Sequence, residues 1–357
     1  MRNAVITGWG RCVPPAVLSN ADLETVTDTS DEWITTRTGI SERRISHVET
    51  SDLAAVAGQR AIAAAGLEPA DLDLVLVATC TPDRLVPSAA ALVQDKIGAA
   101  KASAMDLNAA CSGFIFGLVT AAQMIRAGGF ERVLVIGAEK LHYFIDFTDR
   151  TTSVLFGDGA GAVVLEPTDE EAGVLSFELG TDGSAADILC VPQSGTEGAP
   201  SAARRTVITM EGPEVFRRAV AAMGDASTRA VAEAGLGLED IDLLIPHQAN
   251  IRIIDATARR LKLDPAKVFV NIAGYGNTSA ATIPIALAEA VEEGRIGPGD
   301  NLVLAAFGGG LTWAAAVVRW GARTEPLGRS DAELPASTAT ALEILQPNVD
   351  LYGKGVC

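Results

Sequence analysis

One short pattern occurs twice in this chain. Ala65-Gly66-Leu67, followed by Asp71-Leu72-Asp73-Leu74, returns as Ala234-Gly235-Leu236, followed by Asp240-Ile241-Asp242-Leu243, with Gly66 and Gly235 separated by 169 residues. The same shift carries Asn108 onto Asn277, Leu118 onto Leu287, Arg126 onto Arg295, Gly128 onto Gly297, and Val133-Leu134-Val135 onto Leu302-Val303-Leu304. Ordered matches at one offset argue for two similar α/β halves, each expected to be a parallel-sheet unit of βαβ type. The halves are placed at residues 1–170 and 171–320. Residues 321–357 extend past the last strand. There Arg323 to Ser330 reads as a linker and Ala339 to Leu345 as a short helix, whose apolar Leu342, Ile344 and Leu345 suggest docking on the body or on a partner subunit.

The repeated asparagine of the first half opens the run Asn108-Ala109-Ala110-Cys111-Ser112-Gly113-Phe114. From Phe114 through Val119 to Ala121, Ala122 and Met124 the chain is apolar, long and poor in Gly and Pro, which predicts a buried helix. Cys111 then stands at the positive end of that helix, where the macrodipole and free backbone N–H groups favour the reactive thiolate.

A thiolate that forms a covalent acyl intermediate needs a partner to manage protons or hydrogen bonds. The chain has three histidines, His47, His142 and His247. His247 lies in Asp242-Leu243-Leu244-Ile245-Pro246-His247-Gln248-Ala249-Asn250, which reads as a buried strand ended by Pro. Its imidazole is therefore expected at a strand's carboxyl end, where open α/β sheets place their chemistry. A third polar group comes from Gly276-Asn277-Thr278-Ser279-Ala280-Ala281, a second glycine-punctuated helix start. One Cys with a distant His and Asn is a known nucleophile pattern. In the repeat register Cys111 falls on Ala280, so the first half supplies the nucleophile and the second supplies His247 and Asn277, converging near a pseudo-twofold centre.

These residues resemble the condensing enzymes of the thiolase superfamily, most closely the β-ketoacyl-acyl carrier protein synthase III family. The likeness runs from Ala4-Val5-Ile6-Thr7-Gly8 to Trp320 and rests on an ordered set of motifs. They are Asp28-Thr29-Ser30-Asp31-Glu32-Trp33-Ile34 with Arg37-Thr38-Gly39-Ile40, the Cys111 segment, Phe156-Gly157-Asp158-Gly159-Ala160-Gly161-Ala162, Pro246 to Asn250, Gly276 to Ser279, and Phe307-Gly308-Gly309-Gly310. The resemblance implies a thiolase-like fold with a layered α/β/α/β/α core. It also implies a decarboxylative Claisen condensation of an acyl-CoA primer with malonyl-acyl carrier protein, initiating fatty acid or polyketide synthesis through an acyl-Cys111 intermediate. The related alternative passes the acyl group to a small-molecule nucleophile of a specialised pathway.

By the same resemblance the Cys111 and Gly309 N–H groups would form an oxyanion hole supported by Phe307, and His247 with Asn277 would hold the malonyl thioester carbonyl. Trp33 and Arg37 would take the adenine end of CoA, and Thr29, Arg150, Gly212, Phe216, Ala249 and Asn250 would line its channel. Val86 stands where family members often carry a bulky aromatic that shortens the primer pocket, so longer or branched primers are expected. The family is homodimeric and needs no cofactor or metal, CoA thioesters being its substrates. With one histidine after Cys190, the elongating ketosynthases' Cys-His-His set has no match, and the only late cysteine is Cys357.

A net charge of −17 argues against nucleic acid. Because acyl carrier proteins are acidic, docking needs a local basic patch. Arg217 and Arg218, then Arg252, Arg259, Arg260, Lys262 and Lys267, supply candidates, with Arg217 and especially Arg252 the expected docking residues. No charged-then-apolar leader opens the chain, no apolar run reaches membrane-spanning length, and the five cysteines show no framework spacing. Neither membrane nor secretion is expected, and a reducing cytoplasm is.

Overall fold

A computed structural model describes residues 2–197 and 206–353. Cys357 therefore lies outside the described residues. The strands among them are β1 (Asn3–Cys12), β2 (Ala16–Ser19), β3 (Glu42–Ile45), β4 (Leu74–Ala78), β5 (Ser103–Leu107), β6 (Val133–Glu139), β7 (Gly159–Thr168), β8 (Gly173–Thr181), β9 (Leu189–Cys190), β10 (Thr209–Met210), β11 (Leu243–Pro246), β12 (Asn301–Gly308) and β13 (Thr312–Arg319). One sheet runs β1-β7-β6-β4-β5 and another β11-β12-β13-β8, while β2–β3 and β9–β10 form two small ribbons.

Strands whose two faces are both buried read as continuous apolar runs, and β4 shows why. Leu74 and Leu76 point into one core cluster, Val75 and Val77 into another. In β12, Leu302 and Leu304 share the first of these clusters, while Val303 and Ala305 enter a third. The shared cluster is filled by Phe114 and Leu118 of the helix Gly113–Arg126 and by Ile283 and Leu287 of the helix Thr282–Glu292. A helix apolar around most of its circumference has to be sandwiched, and these two lie between the sheets. The helix Thr50–Ala65 covers the outer face of the first sheet with Leu53 and Ala57, and the helix Gly212–Glu233 covers that of the second with Val215 and Met223. The result is the layered α/β/α/β/α core. Each fully buried Leu, Ile or Val stabilises it by roughly 1.5–3 kcal/mol.

The expectation of parallel halves needs correction. β5, β4 and β6 are mutually parallel, as are β11 and β12, but β1–β7–β6 and β12–β13–β8 are antiparallel. The 169-residue shift holds in backbone detail. Gly66 and Gly235 both end a helix at φ 73°, and the 3₁₀ turns Ala110–Ser112 and Ser279–Ala281 occupy equivalent positions.

After β13 the chain is strapped to the body. The Trp320 indole donates to Arg323 O (2.7 Å), Arg323 donates to Thr7 O and Ala65 O, and His47 Nε2 lies 2.7 Å from Pro335 O. A helix at Ala341–Gly353, longer than expected, buries Ala341 and Leu345 against Leu18, Ile45 and Leu141. No helix among the described residues is long and apolar enough to cross a membrane.

Candidate active site

A cavity of about 1320 Å³ lies where the two halves meet, and Cys111, His247 and Asn277 all line it. Three elements aim these side chains. Cys111 is the middle residue of the 3₁₀ turn that starts the first central helix. The preceding Ala110 is held at φ 46°, a left-handed conformation that costs a non-glycine residue of order 1–3 kcal/mol. Asn108 Oδ1 supports the turn by accepting from Ala110 N (3.1 Å). Behind the thiol β12 ends in Gly308, where a Cβ would sit 2.6 Å from Cys111 N and 2.9 Å from Cys111 Cβ, so only glycine fits. The Thr312 hydroxyl lies within donating distance of Ala109 O (2.9 Å) and Gly309 O (3.2 Å), bridging the Cys111 turn and the glycine turn. Gly309 and Phe307 also line the cavity.

The Cys111 thiol is not the depressed one the helix start suggested. Burial pushes its pKa up to about 11, opposed by the Ser279 hydroxyl and by its own backbone N–H, and reinforced by Glu139. At neutral pH the Cys111 side chain is therefore a neutral thiol, which would need a proton acceptor to react. His247 follows β11, is 2% exposed, and donates its backbone N–H to Ala305 O (2.7 Å). Burial drives its pKa down to about 3, leaving the imidazole neutral. Among the described residues it is the one histidine lining the cavity. His142 is buried against Asp158 (2.5 Å), and His47 meets the C-terminal segment. Asn277 Oδ1 accepts from Ser279 N (2.8 Å), and its backbone is pinned by Leu155 and Gly157. With the side-chain oxygen committed to the turn, the amide NH₂ is left to meet a ligand.

Sequence reasoning missed a buried polar cluster beside the nucleophile. Glu139 ends β6 at zero exposure and accepts from Cys80 N (3.2 Å) and Thr81 Oγ1 (2.6 Å). Burial pushes its carboxyl pKa up. The Ser279 hydroxyl, which makes no well-formed hydrogen bond of its own, lies close enough to Cys111, Cys80 and Glu139 to favour their ionised forms. The one available signal was an acid closing an otherwise apolar strand.

Family models for 3-oxoacyl-[acyl-carrier-protein (ACP)] synthase III match residues 105–183, and for its C-terminal part residues 231–320. A β-ketoacyl-[acyl-carrier-protein] synthase III 2 of Vibrio vulnificus is 53% identical over 350 residues, 98% of this chain and 97% of that one. The chain belongs to the β-ketoacyl-acyl carrier protein synthase III family. A synthase III of Roseiflexus castenholzii is 53% identical over 325 residues, 89% of this chain and 98% of its own. The segment after Trp320 is thus shared with the Vibrio relative. Among solved structures, the 3-oxoacyl-[acyl-carrier-protein] synthase III of Aquifex aeolicus superposes with a TM-score of 0.85 at 46% identity, covering 89% of this chain and 100% of that one. The priming β-ketosynthase of a polyketide biosynthetic pathway gives 0.86 at 36%, covering 91% and 97%. Synthases of this family are condensing acyltransferases of the thiolase superfamily.

The residues expected to bind substrate in such a synthase divide into two groups. Trp33, Arg37, Gly212, Phe216, Ala249, Asn250 and Arg252 line the cavity. Arg37 lies 4.7 Å from the Trp33 ring centre and Arg150 5.1 Å from it, so two guanidiniums stack on the indole. Asn250 Nδ2 donates to Arg37 O (3.0 Å), joining the halves at the mouth. Thr29 and Arg150 fall outside the lining, Arg150 reaching it only through Trp33. Val86 is 84% exposed beside Leu85 and does not line the cavity of its own chain, because the loop before Ser88 projects outward. Cys80, Leu141, Phe156, Leu189 and Ile208 supply apolar lining instead.

Three residues of the expected basic patch are neutralised locally. Arg217 and Arg218 pair with Glu214, Arg218 also with Asp182, and Arg260 with Asp225. Arg252 has no carboxylate within ion-pair distance among the described residues and stacks on Phe216 at 5.4 Å.

Proposed function

We propose that this cavity carries a decarboxylative Claisen condensation. Cys111 takes the acyl group of an acyl-CoA primer, and the acyl-enzyme is attacked by the carbanion formed from malonyl-acyl carrier protein, giving a 3-oxoacyl-acyl carrier protein that starts a fatty acid or polyketide chain. The observation that carries the reading is the convergence of Cys111, His247 and Asn277 on one cavity from two halves of the chain. In the first stage the thiol gives up its proton as sulfur attacks the thioester, the Cys111 and Gly309 N–H groups stabilise the oxyanion, and CoA leaves as a thiol. In the second, His247 and Asn277 donate to the malonyl thioester oxygen while the carboxylate departs as carbon dioxide. The side chains and the two thioesters supply this chemistry without a cofactor or metal.

Trp33, with Arg37 and Arg150 stacked on it, is suited to the adenine and phosphates of CoA. Arg252, without an ion-pair partner among the described residues, is the docking residue for an acidic carrier protein, with Arg217 weakened in that role by Glu214. The protein is read as a cytoplasmic homodimer of two fused halves divided near residue 170. The outward loop bearing Leu85 and Val86 serves that contact and presents Val86 to the partner's primer pocket. Intact-protein mass spectrometry with a panel of acyl-CoAs, followed by malonyl-acyl carrier protein, tests the chemistry. The expected result is an acyl adduct on the wild type, absent from Cys111→Ala, that discharges to 3-oxoacyl carrier protein. An adduct that forms and is never discharged by malonyl carrier protein contradicts the reading and favours transfer to a small nucleophile.

A further inference from the structure

His247 Nδ1 lies 2.7 Å from Thr282 Oγ1, and that same oxygen lies 3.0 Å from Ser279 O. Both side chains are buried, at 2% and 3% exposure, and among the described residues Nδ1 has no other hydrogen-bond partner. A neutral imidazole carries one N–H, and which nitrogen holds it is set by the bond the other nitrogen makes. Thr282 has one hydroxyl proton for two acceptors. When it donates to Ser279 O, Thr282 Oγ1 can only accept from Nδ1–H, and Nε2 is a bare acceptor. When it turns to donate to Nδ1, Nε2 carries the proton and becomes a donor.

We propose that Thr282 is a positioning residue whose hydroxyl selects the tautomer of His247 in each stage of the reaction. The inference rests on the proposed function, since the two stages need opposite tautomers. During acylation the Cys111 S–H bond breaks as the new S–C bond forms, and the proton goes to bare Nε2. The thioester C–S bond then breaks, and the CoA sulfur takes that proton away as its thiol. His247 is left with its proton on Nδ1. Before condensation the ring loses the Nδ1 proton to solvent and gains one at Nε2, and the Thr282 hydroxyl turns from Ser279 O to Nδ1. Nε2–H then donates to the malonyl thioester oxygen as the C–CO₂ bond breaks and its electron pair moves onto that oxygen. The pair returns to form the new C–C bond, Cys111 leaves as thiolate and is reprotonated by solvent, and the ring gives up its Nε2 proton and regains one on Nδ1 as the Thr282 hydroxyl turns back to Ser279 O.

The test combines nitrogen-15 labelling of the histidines with the two half-reactions of Thr282→Val and Thr282→Ser. With three histidines in the chain, His247 is assigned by comparison with His247→Ala. Ring nitrogen shifts should report Nδ1–H in the resting wild type and Nε2–H after acylation of Cys111. Thr282→Val, near-isosteric and without the hydroxyl, should lose about tenfold or more in both acylation and decarboxylation, and Thr282→Ser should restore both. One tautomer in both wild-type states, or a folded Val variant as fast as wild type, overturns the inference. If Thr282→Val does not fold, the wild-type shifts alone decide. Failure of wild-type Cys111 to acylate at all overturns the proposed function instead, whatever the tautomer.

Discussion

The turns Ala110–Ser112 and Ser279–Ala281 are the same device used twice. Each begins with a residue forced to positive φ, Ala110 at 46° and Ser279 at 49°, and each is braced by an asparagine two residues earlier whose Oδ1 takes the strained residue's N–H. Each opens a helix buried between the sheets. The side chains differ at all three positions, Ala110-Cys111-Ser112 against Ser279-Ala280-Ala281, and the middle one places a thiol in the first half only. Ala280 is packed tightly against the first sheet, where a Cβ on Gly137 would sit 2.2 Å from its carbonyl oxygen. The strained turn presents a backbone in either half. In the proposed function one copy adds a thiol, and the other adds His247 and Thr282 around Asn277.

The loops that follow equivalent strands differ more. Between β12 and β13 only residues 309–311 intervene, directly after Gly308, which packs against Cys111. Between β6 and β7 the chain spends residues 140–158, and these supply Leu141, Val154, Leu155 and Phe156 to the cavity wall. In the proposed function the short loop shapes the oxyanion site and the long one walls off the acyl chain.

The largest predicted effect comes from moving the thiol between the copies. Cys111→Ala should abolish acylation, a loss of roughly 10³-fold or more, and adding Ala280→Cys should not restore it, because Ala280 is 1% exposed and faces no oxyanion glycine. An acyl adduct on residue 280 by peptide mass spectrometry breaks the claim that the halves differ in more than one side chain. Next, Gly308→Ala should lower acylation by on the order of 10²-fold, since its Cβ meets Cys111 N, while Gly297→Ala in the same half leaves the rate unchanged. Single-turnover acylation rates decide this.

The pH dependence gives a third comparison. With the Cys111 pKa raised to about 11, its iodoacetamide reactivity should climb about tenfold per pH unit from 7 to 10 without a plateau. Glu139 raises the Cys111 pKa, so Glu139→Gln should shift that profile toward lower pH, and an unchanged profile rejects the coupling. His247, held near 3, should contribute no titration between pH 5 and 9. The smallest effect is at the mouth. Arg252→Glu should raise KM for malonyl carrier protein about tenfold and spare CoA transacylation, whereas Arg217→Glu, already paired with Glu214, should change KM less.

The repeat, the central helix and the strand ending at His247 were legible because burial and close spacing leave periodic marks in the sequence. Strand direction was not, because a strand buried on both faces looks apolar whether its neighbour is parallel or antiparallel. Ser279, Thr282, Glu139 and Gly308 act through contacts between segments far apart in sequence, which no local pattern encodes. The ionisation of Cys111 was misread for a related reason. A helix start favours thiolate locally, but burial between two sheets outweighs it. Val86, expected at the pocket, projects outward beside Leu85.

The division of labour between the two turns is tested most directly by measuring the half-reactions separately in two variants, acyl transfer from acyl-CoA by intact mass and carbon dioxide release from malonyl-acyl carrier protein. Cys111→Ala should lose acyl transfer and still release carbon dioxide, and Asn277→Ala should acylate normally and lose decarboxylation by about 10²-fold. Equal loss of both half-reactions in both variants, with folding intact, would contradict the account.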